Sequence, residues 1–145
     1  MKTAAFFAAI LFVSAQETAP ELNALEKEFQ ETLTGAVLDG HFTRTNSKEL
    51  SQDKYTIVRA YKLKGDLWRF EARIQYGNRD ITIPLDIEVK WAGDTPVITV
   101  TDREFPMMGV YTARVVIYRG QYAGTWSGKT NGGQMFGKIV RATTP

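Results

Sequence analysis

Residues 68–89 read WRFEARIQYGNRDITIPLDIEV, two alternating runs of apolar and polar residues on either side of a Gly-Asn-Arg-Asp turn. Alternation with period two places every second side chain on the same face of a strand. With Asn78-Arg79 as a two-residue turn, Tyr76 faces Ile81, Ile74 faces Ile83, Ala72 faces Leu85, Phe70 faces Ile87 and Trp68 faces Val89. Arg69, Glu71, Arg73, Asp86 and Glu88 then share the opposite face, with Arg69 across from Glu88. A one-residue slip would scatter the apolar set over both faces, so the pattern predicts a hairpin with one buried side.

The same reading extends in both directions. A Gly65-Asp66 turn sets Leu63 against Trp68, Tyr61 against Phe70, Ile57 against Ile74 and Tyr55 against Tyr76. An Arg119-Gly120 turn sets Ile117 against Tyr122, Val115 against Gly124, Ala113 against Trp126 and Tyr111 against Gly128. With Gly93-Asp94 and the glycine-rich residues 127–133 as further turns, strands are predicted over 36–45, 54–64, 67–76, 81–91, 96–101, 109–118, 121–127 and 134–141. The polar residues 46–53 read as a loop. The fold class is all-β: an antiparallel up-and-down barrel or curled meander of about eight strands. A two-sheet sandwich has the same periodicity and remains the alternative. One short N-terminal helix precedes the strands. Thr18 and Glu21 have capping-box spacing, Leu22, Leu25, Phe29 and Leu33 recur at helical intervals, and Gly35 ends the run.

The N-terminus carries the pattern of a secretion signal. Met1-Lys2 is a short positive region, residues 4–13 (AAFFAAILFV) are apolar, and Val13-Ser14-Ala15 offers small residues for cleavage after Ala15. The run is too short for a membrane-spanning helix of roughly 20 residues, and no cysteine follows it to carry a lipid. The expectation is an exported protein, periplasmic or secreted, with residues 16–145 forming one domain and no stable membrane anchor. The chain has 18 basic and 16 acidic residues, so loss of Lys2 leaves 17 against 16, a net charge of +1. Such balance argues against a nucleic-acid partner. Zero cysteines in an exported chain, with no Asn-x-Ser/Thr site, fits a bacterial protein held together by packing rather than disulfides.

Chemistry-bearing patterns are few. Residues 124–130 (GTWSGKT) resemble a phosphate loop, but that motif needs four residues between its first glycine and Gly-Lys-Thr, and a helix after it. Three residues stand there, and a strand follows. His41, the single histidine, shares a strand face with Asp39, and nothing around Ser47, Ser51 or Ser127 would activate a nucleophile. One histidine and no cysteine give no zinc or copper ligand set, and no cofactor is expected. Aromatic and basic residues interleave over residues 61–76, yet alternation sends them to opposite faces, which undoes a stacking platform for nucleic acid. Residues 102–109 (DREFPMMG) interrupt the strand pattern and are expected to fold over the open barrel end.

Arg59 stands out because the Gly65-Asp66 register puts it on the apolar face, opposite Ala72. A charge there needs a partner. It would anchor the acidic head of a ligand lying among Tyr55, Tyr61, Trp68, Phe70, Tyr76 and Tyr111. Alternatively it caps the barrel end, pairs with Asp39 or Glu104, or lies outside because a bulge shifts the register.

The C-terminal residues 122–128 (YAGTWSG) and 132–139 (GGQMFGKI) resemble the closing hairpin of small secreted β-barrel proteins of planctomycete-type bacteria, a likeness that implies no activity. Gly124-Thr125-Trp126 is also similar to the Gly-x-Trp of lipocalins and the Gly-Thr-Trp of avidins. In those calycin-type barrels the triplet lies on the first strand, whereas here it lies on the penultimate one, so no ligand residue is transferred. The functional expectation is a non-enzymatic, lipocalin-like barrel that binds a small apolar or amphipathic ligand. The alternative is a structural or protein-interaction module of the cell envelope, and an enzyme comes third.

Overall fold

A computed structural model describes residues 18–143, except for the side chain of Tyr76. The signal expected over residues 1–15 lies outside the described residues. Helix α1 (Ala24–Leu33) is followed by β1 (Ala36–Phe42), β2 (Ser51–Lys64), β3 (Leu67–Tyr76), β4 (Arg79–Ala92), β5 (Thr95–Phe105), β6 (Gly109–Tyr118), β7 (Gln121–Gly128) and β8 (Gly132–Arg141). Each strand pairs antiparallel with the next, and β1 pairs with β8 from Ala36↔Arg141 to Phe42↔Met135. That last ladder closes the sheet into a barrel and removes the sandwich alternative.

Asn23 caps α1, not Thr18. The Asn23 side chain accepts from the Glu26 N–H at 2.9 Å, and the Glu26 carboxylate accepts from the Asn23 N–H at 3.1 Å. Pro20 accounts for the difference, since the residue before a proline is pushed out of the helical region and Ala19 cannot begin a turn. The buried stripe also differs from the expected one. Phe29 and Leu33 are buried, and Leu22 packs against the core, but Leu25 is exposed and Glu26 takes its place facing the barrel. There the other oxygen of Glu26 meets Lys62 Nζ of β2 at 2.6 Å, tying the helix across the barrel end.

Two register expectations change. The β3–β4 turn is Gly77-Asn78, with Gly77 at φ +53°, so Ile74 faces Ile81, Phe70 faces Leu85 and Trp68 faces Ile87. The shift is two residues and leaves every side chain on its expected face. Arg69 consequently meets Asp86 rather than Glu88, in a two-pronged pair of 2.6 and 2.7 Å. In the β2–β3 ladder, irregularities between Ile57 and Arg59 and between Lys62 and Lys64 reverse the alternation of the intervening segment. A bulge adds one unpaired residue and turns the next ones over. Ala60 takes the inward position, while Arg59 and Tyr61 turn to the outer surface.

Strands β2 and β5 are also longer than expected. Residues 51–53 pair with β1, placing Ser51 against Phe42 and Asp53 against Gly40. In β5 a bulge centred on Asp102 (φ +45°) is held by Thr112, whose hydroxyl accepts from the Asp102 N–H and donates to its carboxylate. Pairing resumes at Arg103↔Tyr111 and continues to Phe105.

The seam of the barrel contains a polar strut. Tyr122, Gly137, Gly40 and Asp53 are register partners on β7, β8, β1 and β2. The Tyr122 side chain crosses the two glycines and donates to Asp53 Oδ1 at 3.0 Å. A Cβ on Gly40 would fall 2.4 Å from the Tyr122 hydroxyl and 2.1 Å from the Phe136 carbonyl oxygen. Only glycine permits the crossing there.

Candidate ligand cavity

The barrel has a floor, an apolar chamber and a polar mouth. Phe29 of α1 forms the centre of the floor, meeting Trp68, Phe70 and Trp91 edge-on at 5.1, 6.2 and 6.0 Å between ring centres. Edge-to-face packing of this kind stabilises aromatic clusters beyond their burial alone. The helix is needed here because the end of an eight-stranded ring is wide enough to leave core side chains open to water.

Above the floor lies a cavity of about 220 Å³. Its walls include Leu38, Ile57, Ile74, Leu85, Ile98 and Val115, drawn from six different strands. Ala72 and Ala113 line it too, and their short side chains leave room that a leucine would fill. Among the described residues, the only polar atoms on the lining side chains are those of Tyr55, Tyr111 and Trp126, along with the sulfurs of Met108 and Met135. The Tyr111 hydroxyl donates to the Met108 carbonyl at 2.9 Å, and Trp126 Nε1 donates to the Thr43 carbonyl at 3.2 Å. With the Tyr111 and Trp126 groups turned to the backbone, their aromatic faces are what a guest meets. Phe42, Tyr111, Trp126 and Phe105 form a collar, linked by Phe42–Trp126, Tyr111–Trp126 and Phe105–Tyr111 contacts at 5.9, 6.1 and 5.7 Å.

The collar opens into a second, outer volume of about 430 Å³ that shares Phe42, Met108, Tyr111 and Trp126 with the chamber. Its remaining lining is richer in polar side chains and includes Arg44, Arg79 and Lys129. The segment expected to be a loop over residues 102–109 is strand up to Phe105, and the turn over residues 106–108 that remains divides its two methionines accordingly. Met108 lines both volumes, whereas Met107 is 80% exposed, so the loop narrows the end without sealing it.

Of the residues expected to line a site, Tyr55, Phe70 and Tyr111 do line the chamber. Trp68 is fully buried in the floor. The Tyr76 side chain lies outside the described part of the structure. Arg59 and Tyr61 are displaced by the β2 bulge: the Arg59 side chain is 57% exposed, pairs with Glu71 at 3.0 Å and stacks over the Tyr61 ring at 4.6 Å. Hydrogen bonding to Tyr61 and the Glu71 charge raise the Arg59 pKa, so it carries its charge in solvent rather than inside the barrel. No protein-family model, curated protein or solved structure matches the chain.

Sequence reasoning missed Phe42, Phe105, Met108 and Met135 as wall residues, and Arg44 at the mouth. It also missed Asp53, which read as part of a polar loop. Asp53 is 3% exposed, and its Oδ2 has no hydrogen-bond partner among the described residues. Burial pushes its carboxyl above the usual carboxylate range, against the lowering effects of the Tyr55 and Tyr122 hydroxyls and of His41. His41 itself stands on the outer face of β1 beside Phe136, its ring centre 6.2 Å away. Among the described residues no three His, Cys, Asp or Glu side chains group as metal ligands.

Proposed function

We propose that this protein binds a small apolar or amphipathic molecule inside its barrel. The chamber itself carries the reading. Interiors are close-packed with few voids larger than a water molecule. Leaving about 220 Å³ unfilled forgoes about 5 kcal/mol of packing, at roughly 24 cal/mol per Å³. An apolar guest recovers that energy. Among the described residues the lining supplies no carboxylate, histidine, lysine, serine or threonine side chain, so the geometry favours holding a molecule over transforming it. With residues 1–15 read as a secretion signal, the proposal sets this binding in the periplasm or outside the cell.

A second reading, a module that docks to another envelope protein, draws on exposed Val116, Tyr118, Phe136 and Val140 on the outer face of β6 and β8. Native mass spectrometry of the protein purified from a bacterial periplasm separates the two. A small-molecule adduct lost on denaturation supports the binding protein. A bare monomer that also fails to bind 1-decanol overturns it, and a stable dimer or mixed complex favours the docking module.

A further inference from the structure

We propose, building on the binding reading above, that the ligand is an anionic amphiphile whose acid group sits at the barrel mouth among Arg44, Arg79 and Lys129. These three cations line the outer volume, and among the described residues no aspartate or glutamate lines it with them. None of the three has a carboxylate within ion-pair distance among the described residues. The arginines on the neighbouring wall differ: Arg59, Arg69 and Arg73 are each matched by Glu71, Asp86 or Asp80. Like charges gathered at one rim repel each other, and a bound anion reverses that cost.

The two arginines are also held in place. Arg44 donates to Ser51 Oγ at 2.5 Å and lies over the Phe42 ring at 5.4 Å, while its Nε is buried without an acceptor among the described residues. Arg79 donates to the Met107 carbonyl at 2.9 Å. A guanidinium fixed in this way loses little freedom when it takes a carboxylate. The chamber below then receives the tail. At ~30 Å³ per methylene-sized group, the share of one water in the liquid, 220 Å³ holds about seven such groups. Further carbons cross the collar into the outer volume. The class is therefore a medium-chain carboxylate, oriented tail inward.

The test is a titration of the purified protein with decanoate, 1-decanol and decyltrimethylammonium, each below its micellar concentration. Binding is read by calorimetry and by tryptophan fluorescence, since Trp126 lines the chamber. Decanoate is expected to bind at least about tenfold tighter than 1-decanol, with the ammonium compound weakest and the decanoate advantage shrinking as salt rises. In the Arg79→Gln/Lys129→Gln double variant, and separately in Arg44→Gln, the decanoate-to-decanol affinity ratio should fall towards one. If decanol matches decanoate in the wild-type protein, the head-group site is wrong and the apolar chamber stands. If no compound binds, the chamber reading falls with it.

Discussion

The Tyr122 hydroxyl reaches across the closing seam of the barrel, over Gly137 and Gly40, to Asp53 Oδ1. The bond links β7 to β2 and spans both strands between them, so it fastens the seam from the inside. It also leaves a carboxylate buried with one oxygen unpartnered among the described residues, which is costly when that carboxylate is charged.

Because burial raises the Asp53 carboxyl above its unfolded value, the folded chain holds that proton more tightly than the unfolded chain does. This contribution is fully present below the ordinary carboxylate range and is lost as pH climbs from there through the raised value. Asp53→Asn should remove that slope. Thermal unfolding between about pH 4 and pH 8 should show the variant gaining on wild type as pH rises. An unchanged difference across the range would mean Asp53 titrates as it does in the unfolded chain.

Tyr122→Phe removes the donor and keeps the ring. It should cost about 1–3 kcal/mol, the penalty for a buried acceptor left unsatisfied. The same change removes a lowering influence on Asp53, so the pH-dependent loss should extend to higher pH. Chemical denaturation at neutral and acidic pH measures both effects, with the smaller cost expected in acid.

Gly40→Ala should be far worse than an ordinary glycine-to-alanine change. Its Cβ would lie 2.1 Å from the Phe136 carbonyl oxygen on β8, and backbone cannot rotate away as a side chain can. We expect a loss of about 4 kcal/mol or more, at the extreme of single substitutions. Gly120→Ala is the control, since a Cβ there meets nothing within 4 Å and only its φ of +72° is strained.

Filling the chamber should separate stability from binding. Ala113→Leu places three more carbons in unoccupied space and should stabilise by about 0.5–2 kcal/mol, as cavity-filling changes do. It should also weaken decanol and decanoate together. A variant that is stabilised yet binds both as before would put the ligand somewhere else.

Chain length gives a further check. Each methylene buried in the chamber is worth about 0.8 kcal/mol, or about fourfold in affinity. Across straight-chain alcohols the affinity should climb at that rate while the tail still fits and then level off. A plateau at about seven to ten carbons matches the chamber and collar; a continued climb indicates adsorption to the outer surface.

Alternation was enough to read the strand count and which face of most strands is buried. The β6–β7 hairpin appears at the expected register, Ala113↔Trp126 and Tyr111↔Gly128 included. The β3–β4 pairing was out by two because any even shift preserves the pattern, and only the left-handed Gly77 decides the turn. Bulges are invisible to alternation, which is why Arg59 and Tyr61 were expected inside. The charge of Arg59 on an apolar face was itself the sign of the fault. Asp53 and Arg44 stayed hidden for a different reason: polar residues near a loop look solvated until a strand from the far end of the chain comes to cover them.

The pairing of the first strand with the last also sets an order of events. Each hairpin from β2 to β8 joins neighbours in the chain and can form around its own short turn, on the microsecond timescale of such steps. The β1–β8 ladder joins residues at opposite ends of the domain, and contacts of that separation slow folding most. The ring is therefore completed late, after all eight strands have been made. The chamber does not exist before that moment, so a molecule able to occupy it stabilises only the finished protein and slows its reopening.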